Sequence, residues 1–136
     1  MKKSLLLTAL CALFLTSCSQ KIIGTWNVDR YEVNNQKGQN ITTRNAGEIV
    51  LNKDGSGEKN IEYNIFNNEF SDVQKFDWKL MDSNLTITGN ERKSKDEKKS
   101  DFDKTWIVIT NKKDKQLWKS TDGSNAVQII ELSRKK

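Results

Sequence analysis

Phe76-Asp77-Trp78-Lys79-Leu80-Met81-Asp82-Ser83-Asn84-Leu85-Thr86-Ile87-Thr88 is the stretch on which the fold class turns. Phe76, Trp78 and Leu80 share one parity, opposite Asp77 and Lys79, while Leu85 and Ile87 oppose Thr86 and Thr88. Strand side chains alternate between faces, so two such runs around Asp82-Ser83-Asn84 read as a hairpin with one apolar face and one wet face. The pattern continues on both sides. Ile61, Tyr63 and Ile65 oppose Glu62 and Asn64, and turn-forming clusters recur at Asn34-Asn35 with Gly38, Lys53-Asp54-Gly55, Asn67-Asn68 and Asp122-Gly123-Ser124. Asp-Gly is the strongest of these signals, because tight hairpin turns need positive φ at their central positions. No segment of helical length carries a 3.6-residue apolar period. The spacing predicts eight strands, over 22–33, 45–52, 57–66, 70–80, 84–90, 104–111, 115–121 and 125–133.

Eight short antiparallel strands point to an all-β, up-and-down β-barrel, which removes the strand edges a small open sheet would expose. A two-sheet β-sandwich is the alternative, since periodicity does not report closure. In the first strand Trp26 and Val28 have one parity and Tyr31 and Val33 the other, so a bulge near Asp29-Arg30 is expected to switch faces. Trp106-Ile107-Val108-Ile109 is apolar on both faces, which suggests a strand covered on both sides or a contact surface. Trp118 is read as exposed, and the charged run Glu91 to Lys104 as a solvated tip between the fifth and sixth strands or a docking loop.

The chain opens with Lys2-Lys3 and an apolar run from Leu5 to Leu15, too short to cross a bilayer core, which needs about 20 residues. Leu15-Thr16-Ser17-Cys18 follows and resembles the lipobox of a bacterial lipoprotein. That resemblance implies cleavage before Cys18, lipid on its sulfur and an acyl chain on its new amine. The expected organisation is a signal peptide over 1–17, a tether over 18–21 and one domain over 22–136. The formal charge of +5 falls to +3 without Lys2 and Lys3, a mildly basic surface with no nucleic-acid footprint. Cys11 leaves with the leader and Cys18 carries lipid, so the domain is expected to stand without a disulfide.

Gly24-Thr25-Trp26 opens the first strand and looks like the lipocalin G-x-W motif. Together with Ile23 to Val28, Gly47 to Gly57 and Phe76-Asp77-Trp78, it is similar to the small lipocalin-like lipoproteins of Bacteroidetes-type bacteria. The likeness covers nearly all of the mature chain, through short motifs. It implies that Trp26 plugs one end of the barrel and that Arg134, just past the last strand, packs over it; a solvated terminal charge beside Lys135 and Lys136 is the other reading of Arg134. One lipocalin motif is out of place. Thr121-Asp122 precedes the eighth strand instead of the seventh and lacks the tyrosine.

Chemistry for catalysis is scarce, so no enzyme is expected. The chain has no histidine, which removes the commonest general base and, with no free thiol in the domain, nearly every zinc or copper site. Glu58 with Glu62 and Asp101 with Asp103 read as solvated carboxylates, and Asp54-Gly55-Ser56-Gly57-Glu58 as a hairpin instead of a calcium loop. No cofactor or metal is expected. Two functions remain open: a lipid-anchored barrel holding a small hydrophobic ligand against Tyr63, Trp78 and Trp106, or a filled barrel that binds or inhibits an envelope protein. No acidic cluster follows Cys18, and by analogy with Bacteroidetes-type lipoproteins the domain is expected in the cell envelope, on the outer membrane and facing the periplasm.

Overall fold

The computed structural model describes residues 21–65, 68–89, 102–121 and 126–136, and the backbone alone at Ile65 and Asn68. Cys18 and the charged run as far as residue 101 lie outside them. The strands are β1 (Gly24–Asn34), β2 (Asn40–Leu51), β3 (Ser56–Ile65), β4 (Asn68–Met81), β5 (Asn84–Gly89), β6 (Thr105–Asn111), β7 (Lys115–Thr121) and β8 (Val127–Arg134). Each pairs antiparallel with the next, and β8 pairs with β1 from Trp26↔Arg134 to Asn34↔Val127, closing a barrel. The sandwich is thereby excluded, since a sandwich has no first-to-last pairing that closes one sheet on itself.

The face switch in β1 falls where the parity change puts it. Register slips between Val28 and Arg30 against both β2 and β8, and Trp26, Val28, Tyr31 and Val33 all point inward and are buried. The matching irregularity in β2 uses Asn45 (φ 52°) and Gly47 (φ 138°). A Cβ at Gly47 would stand 2.0 Å from the Asn60 carbonyl oxygen across the strand pair, in a backbone conformation that side chains rarely adopt. Gly47→Ala is therefore expected to cost about 3 kcal/mol, combining backbone strain with a clash that only a backbone shift relieves. Urea unfolding, read as the change in midpoint at constant slope, checks this. β2 also starts five residues earlier than its apolar pattern, at Asn40, because Val33↔Ile41 and Asn34↔Asn40 extend the hairpin through a polar run that carries no alternation signal.

Among the described residues, large aromatic side chains occupy the barrel interior. Trp26, Trp106, Trp118, Tyr31, Phe76 and Phe102 are its largest fully buried residues. Trp118 corrects the expectation of exposure: it is 0% exposed, and its indole N–H donates to Gln116 Oε1 at 3.1 Å. Leu117 and Trp118 are adjacent and both apolar, so parity alone could not choose between them; the structure turns Gln116, Trp118 and Ser120 inward. In β6, Trp106 and Val108 face inward while Ile107 and Ile109 remain 53% and 55% exposed, which makes that strand's outer face an open surface. Strand direction gives the barrel two distinct ends. Residues 21–23, the turns at 52–55, 82–83 and 112–114, and residues 135–136 lie at one end. The β1–β2 turn and the segment Phe102–Lys104 lie at the other.

Candidate functional site

Trp26 and Arg134 meet at the first of these ends. The Arg134 guanidinium carbon lies 4.4 Å from the centre of the Trp26 ring, and the Trp26 indole N–H donates to the Ile22 carbonyl at 2.8 Å. The arginine fork also donates to the carbonyls of Ile23 (3.0 Å), Lys21 (2.8 Å) and Lys113. It thus ties the entry into β1 to the β6–β7 turn, with its charge over an electron-rich ring face. Gly24 is the reason there is room: a Cβ there would fall 2.2 Å from Arg134 Nη1, so a glycine two residues before the tryptophan seats the arginine.

Toward the opposite end the barrel holds a cage of rings. Tyr31 and Tyr63 meet edge-to-face at 4.8 Å, Tyr63 stacks on Phe70 at 5.4 Å, and Phe102 touches Tyr31, Tyr63 and Trp106 at 5.2, 5.6 and 5.6 Å. Tyr63 and Trp106, expected to share a site, are brought together here through Phe102. Trp78 is not part of it. Its N–H donates to the carbonyls of Asn52 (3.0 Å) and Ser56 (2.9 Å), pinning it on the β2–β3 hairpin at the Trp26 end. Inward parity was right for Trp78, but parity carries no information on height along the barrel.

Phe102 is the feature that sequence reading missed. It is the single apolar residue between Glu91 and Lys104, which was a usable signal, and it enters the barrel completely. Its carbonyl accepts the Trp106 indole N–H at 3.1 Å. Asp103, read above as solvated, is instead buried with Oδ1 3.3 Å from Lys59 Nζ, and Asp72 Oδ2 approaches the same ammonium at 3.0 Å. Lys59 follows the inward parity of Gly57, Ile61 and Tyr63, and its side chain is 1% exposed. Lys104 completes the segment, donating to the buried Gln128 Oε1 at 2.6 Å. Three consecutive residues of the connection into β6 thus fasten to the barrel interior through a ring, a carboxylate and an ammonium.

A cavity of about 890 Å³ opens beside this cage, lined by Asn45 to Glu48, Asn60, Glu62 to Asn64 and Glu69 to Ser71. Its cause is local. The β2–β3 ladder ends at Gly47↔Ile61, and further along the Asn64 backbone N–H donates to Thr43 Oγ1 at 3.0 Å. Between those points the strands splay around the bulge, leaving Phe70 partly exposed within a polar rim and the buried Tyr63 ring stacked behind it. Elsewhere on the surface, the Asn34 amide foremost, with Asn40 and the Arg30 guanidinium, holds Glu32 below the usual carboxylate range against the opposing effect of burial. Asp54 is lowered by the Ser56 hydroxyl and amide, which close the Asp54-Gly55 turn at 2.6 and 2.9 Å. Among the described residues, no group of three or more acidic or thiol side chains is placed to hold a metal ion.

A closed eight-stranded antiparallel barrel, sealed at one end by tryptophan under arginine, defines a lipocalin-like fold. Solved structures agree on the architecture. A lipocalin-like protein from Bacteroides uniformis superposes with a TM-score of 0.56 at 11% identity, covering 85% of this chain and 99% of its own. An uncharacterized protein from Bacteroides eggerthii gives 0.52 at 14% identity, covering 82% of this chain and 98% of its own. No protein-family model matches the chain, and no match was found among curated proteins.

Proposed function

We propose that this protein is a lipid-anchored binding protein of the bacterial cell envelope, held on the outer membrane through Cys18 and facing the periplasm. Its ligand is a small amphipathic molecule taken up beside Tyr63 and Phe70. The observation that carries this reading is the cavity of about 890 Å³ against that ring pair, a size suited to one small molecule. Its lining refines the expected hydrophobic ligand. The apolar part of the molecule would lie on Phe70, backed by the buried Tyr63 ring, and its polar part would meet Asn60, Asn64, Glu62 and Glu69. Trp106 would act at one remove, by seating Phe102 behind Tyr63. The reading is of binding without catalysis, in keeping with a chain that has no histidine.

Mass spectrometry of small molecules released from membrane-purified protein tests the ligand. Phe70→Ala is expected to weaken retention about tenfold, or ~1.4 kcal/mol. A protein that releases nothing, and binds no amphiphile in titration, would refute it. Anchoring is tested separately. Cys18→Ala is expected to leave the chain soluble or unprocessed, whereas mature protein persisting in the membrane fraction would exclude lipid at that residue. A protein partner is the second reading, favoured by the half-exposed Ile107 and Ile109 on one strand face. If it holds, Ile107→Asp with Ile109→Asp abolishes capture of that partner while retention of the small molecule is unchanged.

A further inference from the structure

Strand direction gathers cations at the Trp26 end. Lys21 precedes β1, Lys53 lies in the β2–β3 turn, Lys112 and Lys113 form the β6–β7 turn with Lys115 just beyond, and Lys135 and Lys136 follow β8. All seven are exposed, and Arg134 lies among them. The acids of the same rim are Asp54, Asp82 and Asp114; Glu48, just inside it, engages Lys135 at 2.6 Å. Eight cations against these four carboxylates leave an excess of +4 on one face, more than the +3 of the whole mature chain. The remaining residues of the mature chain therefore sum to −1, so the net positive charge is concentrated on this rim. Met81, 59% exposed, ends β4 on the same rim.

We infer that this end of the barrel is a docking surface for an anionic phospholipid bilayer. Charge complementarity supports it, since clustered lysines are drawn to anionic headgroups within a Debye length of about 8 Å at physiological ionic strength. Chain geometry supports it independently. Lys21 sits at this end, where its carbonyl accepts from Arg134, and only Ser19 and Gln20 separate it from Cys18. The inference rests on the anchor reading for that second argument and adds an orientation to it. The lysine rim lies on the headgroups, Met81 reaches the interface, and the aromatic cage and its cavity point away from the membrane. A lipid anchor with an adjacent basic patch holds a protein more firmly than either alone.

The test uses mature lipoprotein reconstituted into phosphatidylcholine vesicles with or without phosphatidylglycerol. A polarity-sensitive dye is placed on Met81→Cys or, at the opposite end, on Lys37→Cys; lipidation of Cys18 leaves no other thiol. The dye at position 81 is expected to shift to the blue only with phosphatidylglycerol, and to revert in high salt or with Lys112→Glu and Lys113→Glu. The dye at position 37 is expected not to move. Equal emission at position 81 in both lipids, or a shift at position 37 instead, would overturn the inference. Flotation of the vesicles reports the anchor separately. Protein that floats with both lipids but shows no shift retains the anchor and loses the docking surface. Protein that floats only with phosphatidylglycerol retains the surface and loses the anchor, and protein that floats with neither loses both.

Discussion

Replacing Lys59 with methionine is expected to lower the unfolding free energy by about 3–5 kcal/mol, a large share of the roughly 5–15 kcal/mol typical of a domain. Lys59 Nζ stands between Asp72 and Asp103, at 3.0 and 3.3 Å, and 5.4 Å from the centre of the Phe102 ring. Methionine keeps most of the aliphatic stem but removes the ammonium that both carboxylates face, leaving two like charges in the barrel wall. Repulsion and uncompensated desolvation then act together. Asp103→Asn leaves one lysine with one aspartate and is expected to cost less, about 1–3 kcal/mol. Urea unfolding of the two variants checks both the sign and the order. Equal small losses would mean that the cluster is wet and the Phe102–Lys104 segment is held by its ring alone.

Trp26→Ala is expected to cost a similar 3–5 kcal/mol, by deleting a fully buried ring whose space the rigid end of a barrel cannot close over. The loss has two parts that a double-mutant cycle separates. Transfer and cavity terms belong to Trp26 alone, whereas the stacked guanidinium at 4.4 Å belongs to the pair. Coupling of about 0.5–2 kcal/mol between Trp26→Ala and Arg134→Ala is expected from the cation over the ring. Arg134→Lys keeps the charge but loses the fork that reaches Ile23 and Lys21, so it is expected to recover little of it. Coupling indistinguishable from zero would show that Arg134 fastens the backbone without bonding to the ring.

Strict alternation made much of the fold legible. Phe76, Leu85, Ile87, Ile61 and Tyr63 are buried where parity places them, and Asp77, Thr86, Glu62 and Asn64 are exposed. Side-chain polarity misled where the barrel admits polar residues on its inward parity. Lys59, Gln116, Ser120 and Gln128 are all buried and inward; Lys59, Ser120 and Gln128 are matched by groups distant in sequence, Asp103, Thr105 and Lys104 respectively, and Gln116 by Asn111 across the β6–β7 turn. A local pattern of apolar and polar residues reads such positions as outward, because the hydrogen bonds that make their burial affordable are invisible in it. From sequence alone Trp118 reads as exposed because Leu117 beside it is equally apolar, and Trp78 groups with Tyr63 and Trp106 because parity carries no information on height along the barrel.

What the sequence determined by itself is local: strand alternation, the position of the turn at Asp54-Gly55, where Gly55 alone takes the positive φ, and the β1 bulge, since each depends on neighbours a few residues apart. The lipobox belongs to the same local order and remains an expectation. Closure was decided only in three dimensions, by β1 pairing with β8 across about a hundred residues. So was the seating of Phe102 and Asp103, the second held by a lysine 44 positions away. Burial energy does not record sequence distance, so an aromatic residue in a charged run reads as an isolated exception until the barrel supplies Tyr31, Tyr63 and Trp106 around it.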